Sequence, residues 1–455
     1  MKDKIVLVYP SYDGPALGPP LSLLSLASPL MEAGFQVRIV DGAIDPVEGI
    51  LEREIADALC VGFSFLTGPM IRGAVELSRF VRRLRPDVAI IFGGWHSSLL
   101  PEETLCSGLA DVVVRGQGER TLLELARHLR EGSSPAATPG TSFRAGGEAI
   151  HNPERPAESI NNFPTPAFSL ADFDAYEKRT GERKLPFASS LGCPYACHYC
   201  TDQVFYERRF NAYPAGRVVS EVTDLVARHR LHSVAFLDSN FPVNVRRAVD
   251  IARGFIDAKV PFEWTFQAST DLLCRMTDDE VCLLGQSGVT HMGFGTESAS
   301  ERVLEWMNKK HQRIDEMFET ARKSEKAGIR VTFNLILGYP GETEADRVET
   351  FRVMSEIFRK HSNVSFSPNI FTPYPGIPIW PQLRAMGVRE PQSLEEWADV
   401  GLGSNHLPWL QGEELRRLKQ MLEEFLENNR SQRMPRKPLV TRRSLLTGQA
   451  LRSEA

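Results

Sequence analysis

The feature that most constrains this chain is a repeated pairing of two patterns. Short, almost wholly apolar runs are each followed by an amphipathic stretch that closes near a glycine or proline. The runs KIVLVY (4–9), FQVRIVDG (35–42), DALCVGFSF (57–65), DVAIIFGGWH (87–96) and ADVVVRGQGE (110–119) read as strands. They lack the in–out alternation of a half-solvated sheet, so both of their faces are expected to be buried. Helical periodicity fills the gaps at 20–34 (despite Pro29), 70–86 and 120–132. Strands that alternate with helices and are covered on both sides form a parallel sheet, so residues 1–132 are expected to be a doubly wound, Rossmann-like α/β domain.

Residues 133–184 are rich in Pro, Gly, Ser, Asn and Thr and read as a linker with a short hairpin around Ser142–His151. The βα rhythm then resumes. Strands are expected at 187–192, 233–238, 262–267, 291–297, 330–338 and 364–370, giving a partial (β/α)6 barrel over 185–380. In such barrels the chemistry sits where strands end and loops begin. Residues 381–455 are expected to be a helical C-terminal region, clearest at GEELRRLKQMLEEFLENN, with a disordered basic tail.

A length of 455 residues exceeds one ordinary core, and 42% hydrophobic with 24% charged residues is soluble globular composition. A net charge of −5 argues against a nucleic-acid binder. No apolar run reaches the roughly 18 residues of a membrane span. The first apolar run is too short for a signal-peptide core, so a cytoplasmic protein is expected. In that reducing compartment, seven cysteines do not imply disulfides.

Three of those seven fall in GCPYACHYC, at Cys193, Cys197 and Cys200. A spacing of i, i+4, i+7 would be one face of a helix, but Gly192 and Pro194 interrupt any helix there. Structural zinc takes four ligands, commonly as two spaced pairs; here no second pair exists, and His198 adjoins Cys197. A redox pair Cys197–Cys200 leaves Cys193 unexplained. An iron–sulfur cluster is the third reading: three thiolates for four irons leave one iron open, and an open position marks a catalytic metal.

The CxxxCxxC spacing after the first strand of a βα domain, with Tyr199 before the last cysteine, resembles the radical S-adenosylmethionine (SAM) superfamily. The segments FLDSNFPVN (with Ser239 in place of a second acid), GFGTESAS, NLILGYPGET and PYPGIPIW resemble that family at successive strand ends. The resemblance implies a [4Fe-4S] cluster on Cys193, Cys197 and Cys200. It implies SAM contacts at Tyr199, Gln267, Glu297, Gly338 and Gly341, with Glu342 opening the next helix. SAM held on the open iron would be cleaved to a 5′-deoxyadenosyl radical.

The first domain resembles the cobalamin-binding domain found ahead of such barrels, in YPSYDGPALGPPLSLLSLASPL, VDGA, GFSFLTG, FGGWHSSLLPEE and VVVRGQGERTLLEL. The D-x-H-x-x-G motif that supplies a cobalt-ligating histidine elsewhere is absent after the first strand. Residues matched to cobalamin are Ser64, Thr67, Gly93, Gly94, Trp95 and His96, the last as a packing or hydrogen-bonding group. Asp41 ends a strand, but the first strand lacks GxGxxG, so a dinucleotide is disfavoured.

The expected activity is methylation of an unactivated carbon of a small molecule, lipid or peptide. One SAM would serve as methyl source for the corrinoid and a second as radical source. A flavodoxin or ferredoxin would supply the electron. A non-methylating radical reaction (ring formation or contraction, oxidation, carbon–carbon coupling) is the alternative, and a zinc-stabilised corrinoid-binding scaffold is an alternative of another class. Trp380, Trp397 and Trp409 are candidates for a substrate pocket or for the core. Cys274 and Cys282 are not expected to form a second cluster.

Overall fold

The computed structural model describes residues 3–11, 18–134, 138–401 and 407–431. The basic tail lies outside the described residues. Of these, residues up to Pro186 form one compact unit together with Pro373–Ile377 and 389–401, and the rest form a second.

The first unit is built on a seven-stranded sheet in the order β2-β1-β3-β4-β5-β6-β7. Its strands are β1 (Lys4–Tyr9), β2 (Gln36–Asp41), β3 (Ala58–Ser64), β4 (Ala89–Gly93), β5 (Val112–Val114), β6 (Thr141–Ala145) and β7 (Glu148–His151). β1 to β5 pair in parallel, and the helices between them supply the crossovers that parallel pairing requires. Ile5, Val6, Leu7 and Val8 are all buried, so consecutive residues on both faces are covered. The order 2-1-3-4-5 reverses direction between β1 and β3, and ligands of such sheets bind at the carboxyl ends of the strands at that point.

Residues 133–184 are not a free linker. Their hairpin, β6–β7, adds antiparallel to β5 and extends the sheet, with Val112 opposite Phe143. Further on, Ser28 Oγ donates to the Thr165 carbonyl at 2.7 Å and Tyr176 Oη to Asp41 at 2.6 Å. The C-terminal region likewise divides, since 389–401 pack with the first unit. Polar composition alone does not reveal this, because backbone pairing carries the hairpin.

The second unit carries a six-stranded sheet in the order β15-β14-β13-β12-β11-β8. The strands are β8 (Lys184–Phe187), β11 (Ser233–Phe236), β12 (Glu263–Ala268), β13 (Val289–Glu297), β14 (Arg330–Leu337) and β15 (Val364–Ile370); β9 (Ser190–Leu191) and β10 (Asn211–Ala212) form a separate short ribbon. β11 to β15 are parallel neighbours, as a partial barrel requires. Alternate residues of β14, Val331, Phe333, Leu335 and Leu337, are buried, while Thr332, Asn334 and Ile336 between them are less enclosed. Behind β11 and β12, an aromatic cluster fixes the layer. Trp264 packs edge-on to Phe236 and Phe241 at 5.4 and 5.5 Å, and its indole N–H is satisfied by Ser287 at 3.2 Å. Among the described residues no helix is long and apolar enough to cross a membrane.

Candidate active site

The cysteine loop leaves the sheet through a braced turn. Asp238, at the end of β11, accepts from the Ser189 backbone N–H and hydroxyl, each at 2.7 Å. Buried Arg247 donates to the Ser189 and Tyr213 carbonyls at 2.8 and 2.7 Å. β9 then pairs with β10, which brings Arg209 against Gly192. A Cβ on Gly192 would lie 2.1 Å from the Arg209 carbonyl oxygen, and its φ of +78° is left-handed. Only glycine fits there.

Cys193, Cys197 and Cys200 are free thiols, Cys197 buried and the other two half-buried. Burial pushes all three up, Cys200 to about 12 with smaller contributions from Asp202, Cys197 and Cys193. At neutral pH the three are therefore neutral thiols unless a bound cation favours the thiolate form. Among the described residues no three His, Cys, Asp or Glu side chains converge as ligands of one ion. A polynuclear iron–sulfur cluster takes one thiolate per iron, and three thiols on one loop are the donor chemistry it needs. Asn240 Nδ2 reaches to 3.9 Å from Cys193 Sγ and also donates to Ser269 Oγ at 3.1 Å.

A second segment, Trp306–Gln312, grips this loop, and no motif in the sequence marks it. The His198 N–H donates to the Met307 carbonyl at 2.9 Å. Asn308, with a left-handed φ of +52°, sends Nδ2 to the Ala196 carbonyl at 2.7 Å. Lys309 Nζ donates to Tyr199 Oη at 3.0 Å. The His311 ring stacks on Tyr195 with centroids 3.5 Å apart, and Gln312 Nε2 donates to the Thr296 carbonyl at 2.6 Å.

Glu297 meets the loop from β13. The pairing with β14 shifts register between Gly295 and Glu297, and Glu297 has φ +60°. Such a bulge re-aims a side chain, and a non-glycine residue held left-handed stores about 1–2 kcal/mol. Glu297 accepts from Tyr199 Oη at 2.9 Å, with Lys309 Nζ 3.6 Å away. Burial pushes its carboxyl up, and Lys309 and Tyr199 oppose that. Tyr199 is held well above the usual phenol range, chiefly by burial and by the Glu297 charge, so it stays a neutral donor. Gly295 leaves room for the carboxylate, since a Cβ would lie 2.5 Å from Glu297 Oε1. Gln267, exposed at the end of β12, lies over Gly293, where a Cβ would come within 2.2 Å of Oε1.

Gly338 and Gly341 are left-handed at φ +73° and +76°, but this chain's own side chains occupy the approach to them. A Cβ on Gly338 would lie 2.5 Å from Leu410, and one on Gly341 would overlap Trp306. Trp409 Nε1 donates to the Gly338 carbonyl at 3.1 Å. Glu342 does not open the next helix. Thr343 caps Glu344–Lys360 through a capping box with Asp346, while Glu342 is buried, accepting from the Gly338 N–H at 2.5 Å and from Arg347 Nε at 2.9 Å. Within this turn the buried Tyr339 hydroxyl has no partner among the described residues, and its charge would interact with that of Cys197. An orphaned hydroxyl beside the thiols, with an exposed amide at Gln267, fits a polar ligand such as SAM on the cluster.

In the first unit, β3 and β4 end side by side. Gly94 (φ +93°) abuts β3, where a Cβ would lie 2.6 Å from the Phe65 carbonyl oxygen. Ser64 is buried and Gly93 half-buried. Thr67 Oγ1 and His96 Nδ1 are 3.0 Å apart. His96 is wholly enclosed, its ring 6.0 Å from Phe65 and 5.9 Å from Trp397, and burial pushes it down to about 3. It therefore packs inside the unit and offers no ring face outward. Trp397 donates to Glu103 at 3.0 Å. Leu66, 49% exposed, and half-buried Trp95 present apolar surface at these strand ends, which fits a flat macrocycle. Trp380 and Trp397 are core residues, and Trp409 lies on the Gly338 turn. The Cys274 thiol donates to the Glu316 carbonyl at 3.5 Å, apart from the cluster loop's partners.

Residues 14–126 match the family model described as B12 binding domain, and residues 188–354 match the one described as Radical SAM superfamily. The uncharacterized methyltransferase PH0819 of Pyrococcus horikoshii is 29% identical over 400 residues, covering 83% of this chain and 82% of that protein. The anaerobic magnesium-protoporphyrin IX monomethyl ester cyclase of Cereibacter sphaeroides is 25% identical over 398 residues, covering 84% of this chain and 64% of that one. The structure of the radical S-adenosylmethionine methyltransferase TsrM from Kitasatospora setae, with cobalamin and a [4Fe-4S] cluster bound, superposes with a TM-score of 0.72. It covers 86% of this chain and 76% of its own at 20% identity, a likeness of fold.

Proposed function

The chain belongs to the radical SAM superfamily and carries a B12-binding domain ahead of its barrel, and from that premise we propose that it methylates an unactivated carbon of a small molecule, lipid or peptide. The observation that carries the reading is the site itself: three free thiols within eight residues of one braced loop, and a buried Tyr339 hydroxyl without a partner among the described residues. Bound there, the cluster and SAM supply a primary carbon radical, and cobalamin supplies a transferable methyl group.

This chain's residues then have defined tasks. Cys193, Cys197 and Cys200 would hold the [4Fe-4S] cluster, which would supply the electron that cleaves SAM. Asn240 donates toward the Cys193 sulfur, which stabilises its charge. Gln267 and Tyr339 offer donors to SAM, Glu297 accepts, and Tyr199 backs the site by donating to Glu297. Gly192, Asp238 and Arg247 fix the loop where it leaves the sheet, and the Trp306–Gln312 segment holds it from the other side. Ser64, Thr67, Gly93, Gly94 and Trp95 form the first unit's ligand edge, with His96 supporting it from within. A flavodoxin or ferredoxin supplies the electron, and the reaction belongs in the cytoplasm.

The test is anaerobic turnover of the reconstituted protein with SAM labelled in its methyl group, in extracts that contain the acceptor. Label in a carbon-bound methyl supports the reading. Turnover without label in any product supports the second reading, a ring-forming radical reaction, which the likeness to the cyclase of Cereibacter sphaeroides favours.

A further inference from the structure

Lys309 is a buried cation that meets two residues assigned to SAM, Tyr199 and Glu297. It is 5% exposed, and it sits in the left-handed turn after the helix Glu301–Trp306. Nζ lies 3.0 Å from Tyr199 Oη, on the loop between Cys197 and Cys200, and 3.6 Å from Glu297 Oε1. Burying an ammonium costs several kcal/mol unless nearby anions offset it. The Glu297 carboxylate at 3.6 Å offsets that cost in the cluster-free protein. Tyr199 ties this cation to the loop that carries the three cysteines, whose thiolates around a cluster would supply further negative charge.

We propose that Lys309 is a positioning residue that sets the reduction potential of the cluster held by Cys193, Cys197 and Cys200, through its charge and its hold on Tyr199. One-electron reduction adds a negative charge to the cluster. A fixed cation nearby stabilises the reduced form more than the oxidised one, and in a site with little water that stabilisation is weakly screened. The lysine therefore raises the potential and makes the cluster easier to charge. Its grip on the Tyr199 phenol also fixes the residue that precedes Cys200. This inference rests on the cysteines holding an iron–sulfur cluster.

The experiment is a redox titration followed by electron paramagnetic resonance on anaerobically reconstituted full-length protein, with iron and sulfide measured on the same samples. Lys309→Met and Lys309→Gln remove the charge, and Lys309→Arg keeps it. The expected result is a cluster content close to wild type in all three, a lower midpoint potential in both neutral variants, and recovery of most of that shift in the arginine variant. An unchanged midpoint in a cluster-loaded neutral variant overturns the proposal. So does loss of the cluster from both neutral variants, because it assigns the lysine to assembly alone. A wild-type protein that takes up no iron overturns the cluster reading itself.

Discussion

The Tyr199 hydroxyl donates to Glu297 at 2.9 Å while accepting from Lys309 at 3.0 Å. The loop's last turn is thus tied to β13 by one buried chain of lysine, phenol and carboxylate. Removing the carboxylate's charge leaves a buried cation without its anion, which costs about 3–5 kcal/mol. Glu297→Gln is accordingly expected to lower the stability of the cluster-free protein by about 3 kcal/mol, read as a lower midpoint in denaturant unfolding. A change under about 0.5 kcal/mol would show that the chain carries no load in the folded state.

Gly192 is the hinge by which the loop leaves the sheet. Gly192→Ala incurs about 1–2 kcal/mol for the left-handed backbone alone, and its new methyl meets the Arg209 carbonyl. Iron uptake on reconstitution is expected to fall sharply. Gly216→Ala is the control, since nothing lies within 4 Å of a Cβ there and alanine favours the helix Ala215–His229. Its iron content is expected to match wild type.

Tyr339 predicts effects of opposite sign in two measurements. Its hydroxyl is buried without a partner, so Tyr339→Phe is expected to stabilise the ligand-free protein by about 1 kcal/mol. If that hydroxyl waits for SAM, the same change weakens SAM binding by about fivefold to tenfold, measured by calorimetry on the cluster-loaded protein. Stabilisation with unchanged SAM affinity would remove Tyr339 from the ligand site.

Glu103 gives a pH-dependent prediction in the first unit. Burial pushes its carboxyl up to about 7 from an ordinary 4.5, against the hydrogen bond from Trp397 that favours the charged form. Between those values the folded protein binds more protons than the unfolded chain, so this group makes stability fall as pH rises. Glu103→Gln does not titrate. The stability of the variant relative to wild type is expected to climb from about pH 4.5 to about pH 7 and then level off. The opposite contribution of His96, whose folded value is depressed, is common to both proteins and cancels in the difference. A flat difference across that window would contradict the buried placement of the carboxyl.

The sequence showed the elements that carry regular patterns. Apolar runs marked the parallel strands of both sheets, and the spacing of Cys193, Cys197 and Cys200 marked the loop. It did not show the contacts between distant segments. Met307, Asn308 and Lys309 read as an unremarkable helix end, yet they meet the loop more than a hundred residues earlier. The hairpin Thr141–His151 was legible as a hairpin, but not as an extension of the first sheet, because edge pairing uses backbone groups that every residue has. Gly338 and Gly341 were legible as special turns. The side chains that fill them, Leu410 and Trp306, were not, because they come from elsewhere in the fold. His96 drew attention through its neighbours Gly93 and Gly94, and its complete burial depends on Trp397, three hundred residues away.

The central claim is a radical methyl transfer that consumes SAM in two ways, and product stoichiometry tests it most directly. Reconstituted protein is supplied with cobalamin, SAM, a low-potential reductant and its acceptor under anaerobic conditions, and both nucleoside products are quantified. The account predicts S-adenosylhomocysteine and 5′-deoxyadenosine together, in about equal amounts per methylated product. 5′-Deoxyadenosine alone, with no S-adenosylhomocysteine and no methyl in the product, would contradict it.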